Sequence, residues 1–230
     1  MGMTLFYGRT KNDINLILGG NIMTVVGILG TVHGDEENRK KLGYPLELMK
    51  KAILDFKPDV ICGEVRPEDW QKYCGDKSYS GYLGPFEYRF LILPLCKENN
   101  ISFEPVDWFE DDLVNYQFDI IEDKEKEEYE KKQIKLFEEL LEKGKQSPLP
   151  FNSFEFDRFV EGKHKYDESM GPIEYLVTWE ARNYLMVRRI KAVIEKYKDK
   201  RILCTVGAEH NYFYHKELKK LDLELVYPLK

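Results

Sequence analysis

At 230 residues the chain fits one α/β domain or two small ones, with enough bulk to bury a self-supporting core. A hydrophobic share of 43% excludes a disordered chain, and a net charge of −6 gives no electrostatic grip on phosphate backbones, so nucleic acid is not an expected partner. Four scattered cysteines (Cys62, Cys74, Cys96, Cys204) form no CxxC pair, which excludes a disulfide framework or zinc ribbon; three lie in apolar runs and read as buried thiols of a reducing, cytoplasmic protein.

Residues 3–20 read as an optional hairpin turning at Lys11-Asn12-Asp13. A second reading stands beside it. Gly19-Gly20-Asn21-Ile22-Met23 is what a purine-rich ribosome-binding sequence upstream of a start codon would encode, which makes 1–22 a non-native extension and 23–230 the domain. The stretch Ile14–Val32 has 19 residues without a charge, near the length of a membrane span. Its Gly-Gly-Asn turn and its Val, Ile and Thr content favour two short strands instead, so no membrane segment is expected.

From Met23 strands alternate with helices. Thr24–Leu29 is an apolar strand; Asp35 caps a helix expected over Glu36–Phe56, with Glu36 and Glu37 at the favourable end of its dipole. A second strand covers Val60–Gly63, a Gly- and Tyr-rich loop follows, then a helix near Phe86–Lys97 and a third strand, Ile101–Val106. Residues 122–143 form a long charged helical insertion with one narrow stripe (Tyr129, Gln133, Phe137, Leu140, Leu141), suited to packing along an edge or to covering a cleft. Ser147–Gly171 reads as a loose connection carrying His164. A helix from Pro172 to Tyr197, apolar on nearly every face in its middle, is expected to be central. Strands at Arg201–Val206 and Leu223–Tyr227 complete a single-domain α/β fold, a mostly parallel sheet flanked by helices.

Three polar residues follow apolar strands directly: His33, Glu64 and His210; Asp107 is a fourth. Open parallel sheets bind ligands beyond the carboxyl ends of their strands, and glycines there (Gly30, Gly63, Gly207) let the backbone turn sharply. Two histidines and a carboxylate suit a divalent metal with an open position for water. The plainer alternatives are hydrogen-bonded structural histidines and a Glu64–Arg66 pair. Within the Pro172–Tyr197 helix, Glu180, Arg182 and Asn183 interrupt the apolar run. Glu180 and Arg182 stand about 200° apart and cannot satisfy each other, so a partner elsewhere or an interior ion-pair network is required. His215 reads as a solvated surface residue, and His164 as a loop residue or part of a lid.

Gly30-Thr31-Val32-His33 and Gly207-Ala208-Glu209-His210, with Arg182-Asn183-Tyr184-Leu185-Met186 between them, resemble the TraB/PrgY/Tiki (GumN-like) family. That family belongs to a wider group with the erythromycin esterases and the ChaN haem-binding proteins. The resemblance covers roughly residues 24–215 by order of motifs. It departs where Ala181, not a glutamate, precedes Arg182, and where bulky Asn211-Tyr212-Phe213-Tyr214 follow the late motif. The resemblance implies a metal-dependent hydrolase of peptide or amide bonds, with His33, Glu64 and His210 holding Mn²⁺, Co²⁺ or Zn²⁺. Glu36 or Glu180 would act as base and Arg182 would hold substrate or oxyanion. Two alternatives remain. One is a metal-free hydrolase with His33 as base, oriented by Glu64 or Glu36. The other is a non-catalytic protein that captures a peptide or haem between the Tyr73–Tyr88 loop and the aromatics after His210.

Overall fold

The computed structural model describes residues 23–110, 123–170 and 176–229. The expectations for residues 1–22, and for Pro172 as a helix start, lie outside the described residues. Strands β1 (Val25–Thr31), β2 (Val60–Gly63), β3 (Ser102–Pro105), β4 (Arg201–Gly207) and β5 (Glu224–Val226) form one sheet in the order β3-β2-β4-β1-β5. Every pairing is parallel, so the chain is α/β as its alternating pattern implies.

The strands alternate strictly between two apolar layers, as a sheet covered on both faces requires. Val26, Ile28, Val60, Cys62, Ile202, Cys204 and Val206 face one layer. Leu29, Ile61 and Leu203 face the other. After α1 (Glu36–Lys41), the second layer takes α2 (Leu46–Phe56), α3 (Pro67–Gly75), the π-helical turn Tyr88–Ile92 with α4 (Leu93–Glu98), and the pair α5 (Asp123–Gly144) and α6 (Phe154–Met170). The first layer takes α7 (Arg182–Lys196) and α8 (Asn211–Leu218).

Three local expectations need correction. The helix expected over Glu36–Phe56 is two helices, because Gly43 turns left-handed (φ 72°) and Pro45 cannot continue a hydrogen-bonded ladder. Asp35 does cap the first, accepting the Asn38 backbone N–H at 2.9 Å. The connection Ser147–Gly171 is mostly the helix α6. Its stripe of Phe156, Val160, His164 and Asp167 has helical spacing, but the last two positions are polar and masked the periodicity. The helix before β4 is not apolar all round. A π-helical turn (Leu176–Ala181) leads into α7, which buries Asn183, Met186, Val187 and Ile190 and leaves Tyr184 exposed.

No helix among the described residues is long and apolar enough to cross a membrane; the uncharged stretch before Val32 contributes β1 instead. Cys62, Cys96 and Cys204 are buried free thiols and Cys74 is exposed.

The start of α6 is tied to the sheet's edge by Tyr227, whose hydroxyl donates to Asp157 Oδ1 at 2.9 Å. Asp157 Oδ2 is buried with no hydrogen-bond partner among the described residues. Burial pushes this carboxyl up to about 7, against the Tyr227 bond that lowers it. A raised carboxyl keeps its proton in the folded state while the unfolded chain releases it, so stability falls as pH rises from about 4 towards 7 and the loss is complete above that. Asp157→Asn removes the ionisation. It is expected to stabilise the protein at pH 8 by up to about 4 kcal/mol, with no gain at pH 4, in urea unfolding followed by circular dichroism.

Candidate functional site

β2, β4 and β1 are neighbours in the sheet, so the residues that leave their carboxyl ends emerge side by side. Glu64 comes directly after β2, His33 two residues after β1 and His210 three after β4. The backbone must approach closely here. A Cβ on Gly207 would lie 2.8 Å from His33 Nε2, and one on Gly63 would lie 2.4 Å from the Tyr88 ring. Side-chain-free positions at these strand ends are therefore a packing requirement.

Glu64 is the centre of the cluster. Its side chain is 1% exposed, and Oε2 accepts the Gly207 backbone N–H at 2.6 Å while Oε1 accepts from Arg182 Nη2 at 3.1 Å. His33 Nε2 lies 3.5 Å from Oε2 and His210 Nε2 lies 3.8 Å from Oε1. Arg182 reaches down from the first turn of α7 and also donates Nε–H to Asp107 Oδ1 at 2.9 Å and Nη2–H to Oδ2 at 3.2 Å. His33, Glu64, His210, Arg182 and Asp107 thus share one cleft.

Each histidine is held at Nδ1 by a different kind of group. His33 Nδ1 meets the fully buried Glu87 carboxylate at 2.8 Å. His210 Nδ1 meets Asn183 Oδ1 at 2.7 Å, and Asn183 Nδ2 donates to Trp179 O at 2.9 Å, which orients the amide so that His210 donates from Nδ1. Both Nε2 atoms are consequently left towards the cleft. The electrostatics then separate the pair. Burial pulls the His33 pKa down, but Glu64 and Glu87 outweigh it and the net shift is upward. Burial, reinforced by the Arg182 charge, holds His210 well below the usual imidazole range. Burial raises Glu64 despite His33 and Arg182, whereas Glu64 and Asp107 keep Arg182 firmly protonated against its own burial.

Further out, Trp179 is sandwiched between His164 and His210, with ring centroids at 3.9 and 4.3 Å and planes within 16° and 17° of parallel. His164 Nε2 lies 3.1 Å from Glu209 Oε2, which Lys163 also contacts at 3.1 Å; these two partners overcome burial and pull Glu209 down to about 2. Tyr88 braces the floor: its hydroxyl donates to Thr205 O at 2.9 Å and accepts the Glu64 backbone N–H at 2.8 Å. A cavity of about 330 Å³ opens beside this cluster, bounded by His33, Arg182 and His210 on one side and by Phe137, Leu140 and Leu141 of α5 on the other. The charged helix therefore packs along α6 and walls the cleft at the same time.

Two expected site residues are elsewhere. Glu36 accepts the Leu46 backbone N–H at 3.1 Å and sits 3.7 Å from Lys40, so it braces the α1–α2 turn. Glu180 is exposed, with Tyr212 as its electrostatic neighbour; the one-residue offset from the resembled motif carries it away from the cleft. Arg66 donates Nε–H to Asp69 Oδ2 at 2.6 Å. Of the aromatics after His210, Tyr212 lies beside His164, while Phe213 and Tyr214 are buried in the α7–α8 layer. His215 is half-buried against Phe154 and Tyr227. His164, read as a loop residue, is 7% exposed on α6.

Glu87 and Arg39 were missed by sequence reasoning. Glu87, with Arg89 two residues on, interrupts an aromatic and aliphatic run, a signal of a partnered carboxylate. Arg39 sits in an entirely polar hexapeptide and gives no signal, yet it is fully buried, donating to Thr31 Oγ1 at 3.0 Å and pairing with Glu87 at 3.7 Å.

A divalent metal fits this arrangement poorly. The guanidinium on Glu64 Oε1 occupies one side of the carboxylate that a cation would need, and no trio of His, Cys, Asp or Glu among the described residues is grouped to hold an ion. No family model matches the chain, and comparison with curated proteins and with solved structures also yields no match. The TraB/Tiki resemblance therefore rests on the motifs themselves.

Two measurements probe the site without assuming any activity. Glu87→Gln removes one of the two anions that raise His33, the other being Glu64, so the His33 titration followed by imidazole NMR should move to lower pH. Arg182→Met leaves Glu64 and Asp107 buried without a cation and should destabilise the fold by about 3–5 kcal/mol in urea unfolding at neutral pH. Glu64, already raised by burial, then loses the cation that lowers it and rises further, so that deficit should shrink as pH falls towards 5.

Proposed function

We propose that the protein is a hydrolase of carboxylic ester or amide bonds in which the two histidines divide the proton transfers. The observation that carries this reading is the opposed anchoring of His33 and His210 on either side of Glu64. Paired titratable groups whose environments push their pKa values apart are suited to acid and base roles. Neutral His210 Nε2 takes a proton from water, and the resulting hydroxide attacks the carbonyl carbon. Arg182 bonds to its two carboxylates through Nε and Nη2, leaving Nη1 to meet the developing oxyanion. On collapse the bond to the leaving group breaks, and protonated His33 supplies the proton that group requires. His33, whose side chain is 42% exposed, regains its proton from solvent, and the enclosed His210 gives up the one it took to the water that refills the cleft after product leaves. Buried free thiols at Cys62, Cys96 and Cys204 fit a reducing compartment such as the cytoplasm.

Hydrolysis of a panel of nitrophenyl esters and anilides tests the reading. Activity should form a plateau in pH, rising as His210 loses its proton on the acid side and falling as His33 loses its own on the basic side. His210→Ala and His33→Ala are each expected to lower kcat/KM by about 10²–10⁴-fold. Chelators should leave the rate unchanged. Loss of activity on chelation and its recovery with Mn²⁺, Co²⁺ or Zn²⁺ would favour the metal-dependent reading on His33, Glu64 and His210 instead.

A further inference from the structure

The cavity beside the cluster has two chemically different ends. At one end stand His33, Arg182 and His210; the other is walled by Leu140 and Leu141 of α5 with Phe151 and Phe156 at its base. Leu140 is 5% exposed, Phe151 0% and Phe156 1%, so these three close the far end as part of the protein's own core, and the apolar surface left to a ligand there is that of the half-buried Leu42 and Leu141. Phe137, one turn before Leu141, is 53% exposed although it lines the same space, which places a large apolar ring at the mouth. Glu209, which also lines the cavity, is already satisfied by Lys163 and by His164, each at 3.1 Å.

Orientation follows from the histidines and rests on the acid–base reading above. The leaving group must receive its proton from His33, the histidine whose ring faces solvent, so that group lies at the open side. The acyl portion is then directed into the closed, apolar end. From this we infer that the substrate is an ester or amide of an uncharged, apolar carboxylic acid, with an acyl chain of roughly six to ten carbons, because a cavity of about 330 Å³ is at the small end of ligand sites. α5 is then the specificity wall, held on α6 by Gln133 and by Tyr129, whose hydroxyl lies 3.3 Å from Asp167 Oδ1.

The test compares p-nitrophenyl esters from acetate to decanoate, together with calorimetric binding of octanoate, for the wild type, Leu141→Trp and Phe137→Ala. Each added methylene should raise kcat/KM roughly two- to fourfold until the cavity is filled. Leu141→Trp, at a half-buried position, should fill the chain site and lower the octanoate-to-acetate ratio by about tenfold or more. Phe137→Ala, at the exposed mouth, keeps the assay informative if the tryptophan variant misfolds, and should lower the same ratio by about threefold. Hydrolysis with a flat or acetate-favouring profile overturns this inference and leaves the hydrolase reading standing. Absence of hydrolysis with octanoate binding that Leu141→Trp or Phe137→Ala weakens supports the ligand class while the hydrolase reading fails. Octanoate binding indifferent to both substitutions, or no binding and no turnover, overturns the inference.

Discussion

Taking the Glu64 carboxylate out of water is the constraint around which this end of the molecule is arranged. A carboxylate at 1% exposure is tolerable only if its charge is met and its lone pairs are used. The Gly207 N–H and Arg182 do this, but Arg182 is itself largely enclosed and needs a second anion, which Asp107 provides from the end of β3. Satisfying one buried acid therefore requires β2, β3, β4 and α7 to meet at a single place. The same enclosure separates the two histidines. His33, with Glu64 facing Nε2 and Glu87 on Nδ1, is pulled upward against its burial, whereas burial, reinforced by the Arg182 charge, pushes down His210, which has only a neutral amide at its Nδ1.

The groups that hold the histidines are themselves held. Arg39 fixes Glu87 from below while bonding to the β1 end at Thr31, and Tyr88 stitches the ends of β2 and β4 together. Trp179 fixes the other side through its contact with the His210 ring, and its carbonyl orients Asn183. The Arg39–Glu87, Tyr88–Thr205 and Trp179–His210 contacts join segments far apart in sequence, so the cleft cannot be assembled before β1, β2 and β4 have come together. Non-local closure of this kind gives precise placement at the expense of local autonomy.

The strand-end residues were legible because two rules suffice for them. An apolar run of strand composition ends, and the first polar residue after it lies at the ligand-binding edge of a parallel sheet. That reasoning places His33, Glu64, Asp107 and His210 together, and the cost of an isolated guanidinium in an apolar helix places Arg182 with them. Other contributors have no such pattern. Arg39 looks solvated in Glu36–Lys41, and only the left-handed turn at Gly43 folds that segment back under the cleft. Helix α6 was hidden for the opposite reason: His164 and Asp167 occupy its apolar stripe because they serve the network around Trp179 and Gln133. Glu36 and Glu180 were attractive as carboxylates close in sequence to the motifs, but a helix turn of about 100° per residue decides their direction, and it takes both away from the cleft.

The two halves of the cleft have different origins, and this bears on how the chain can change. The polar half is built on strand ends and on the first turn of α7, where each residue has several partners and substitution leaves a charge uncompensated. The apolar half comes from α5, whose wall residues Phe137 and Leu141 make no hydrogen bonds to the cluster through their side chains. The halves are joined through Asp167, which takes contacts from Tyr129 and Gln133 of α5, and through Lys163, which bridges Asp167 and Glu209 beside His210. Changes along the α5 stripe can therefore reshape the cavity without touching the proton-bearing groups. Changes to Lys163 or Asp167 act on both halves at once, because the two in series connect the wall to Glu209, the residue adjoining His210.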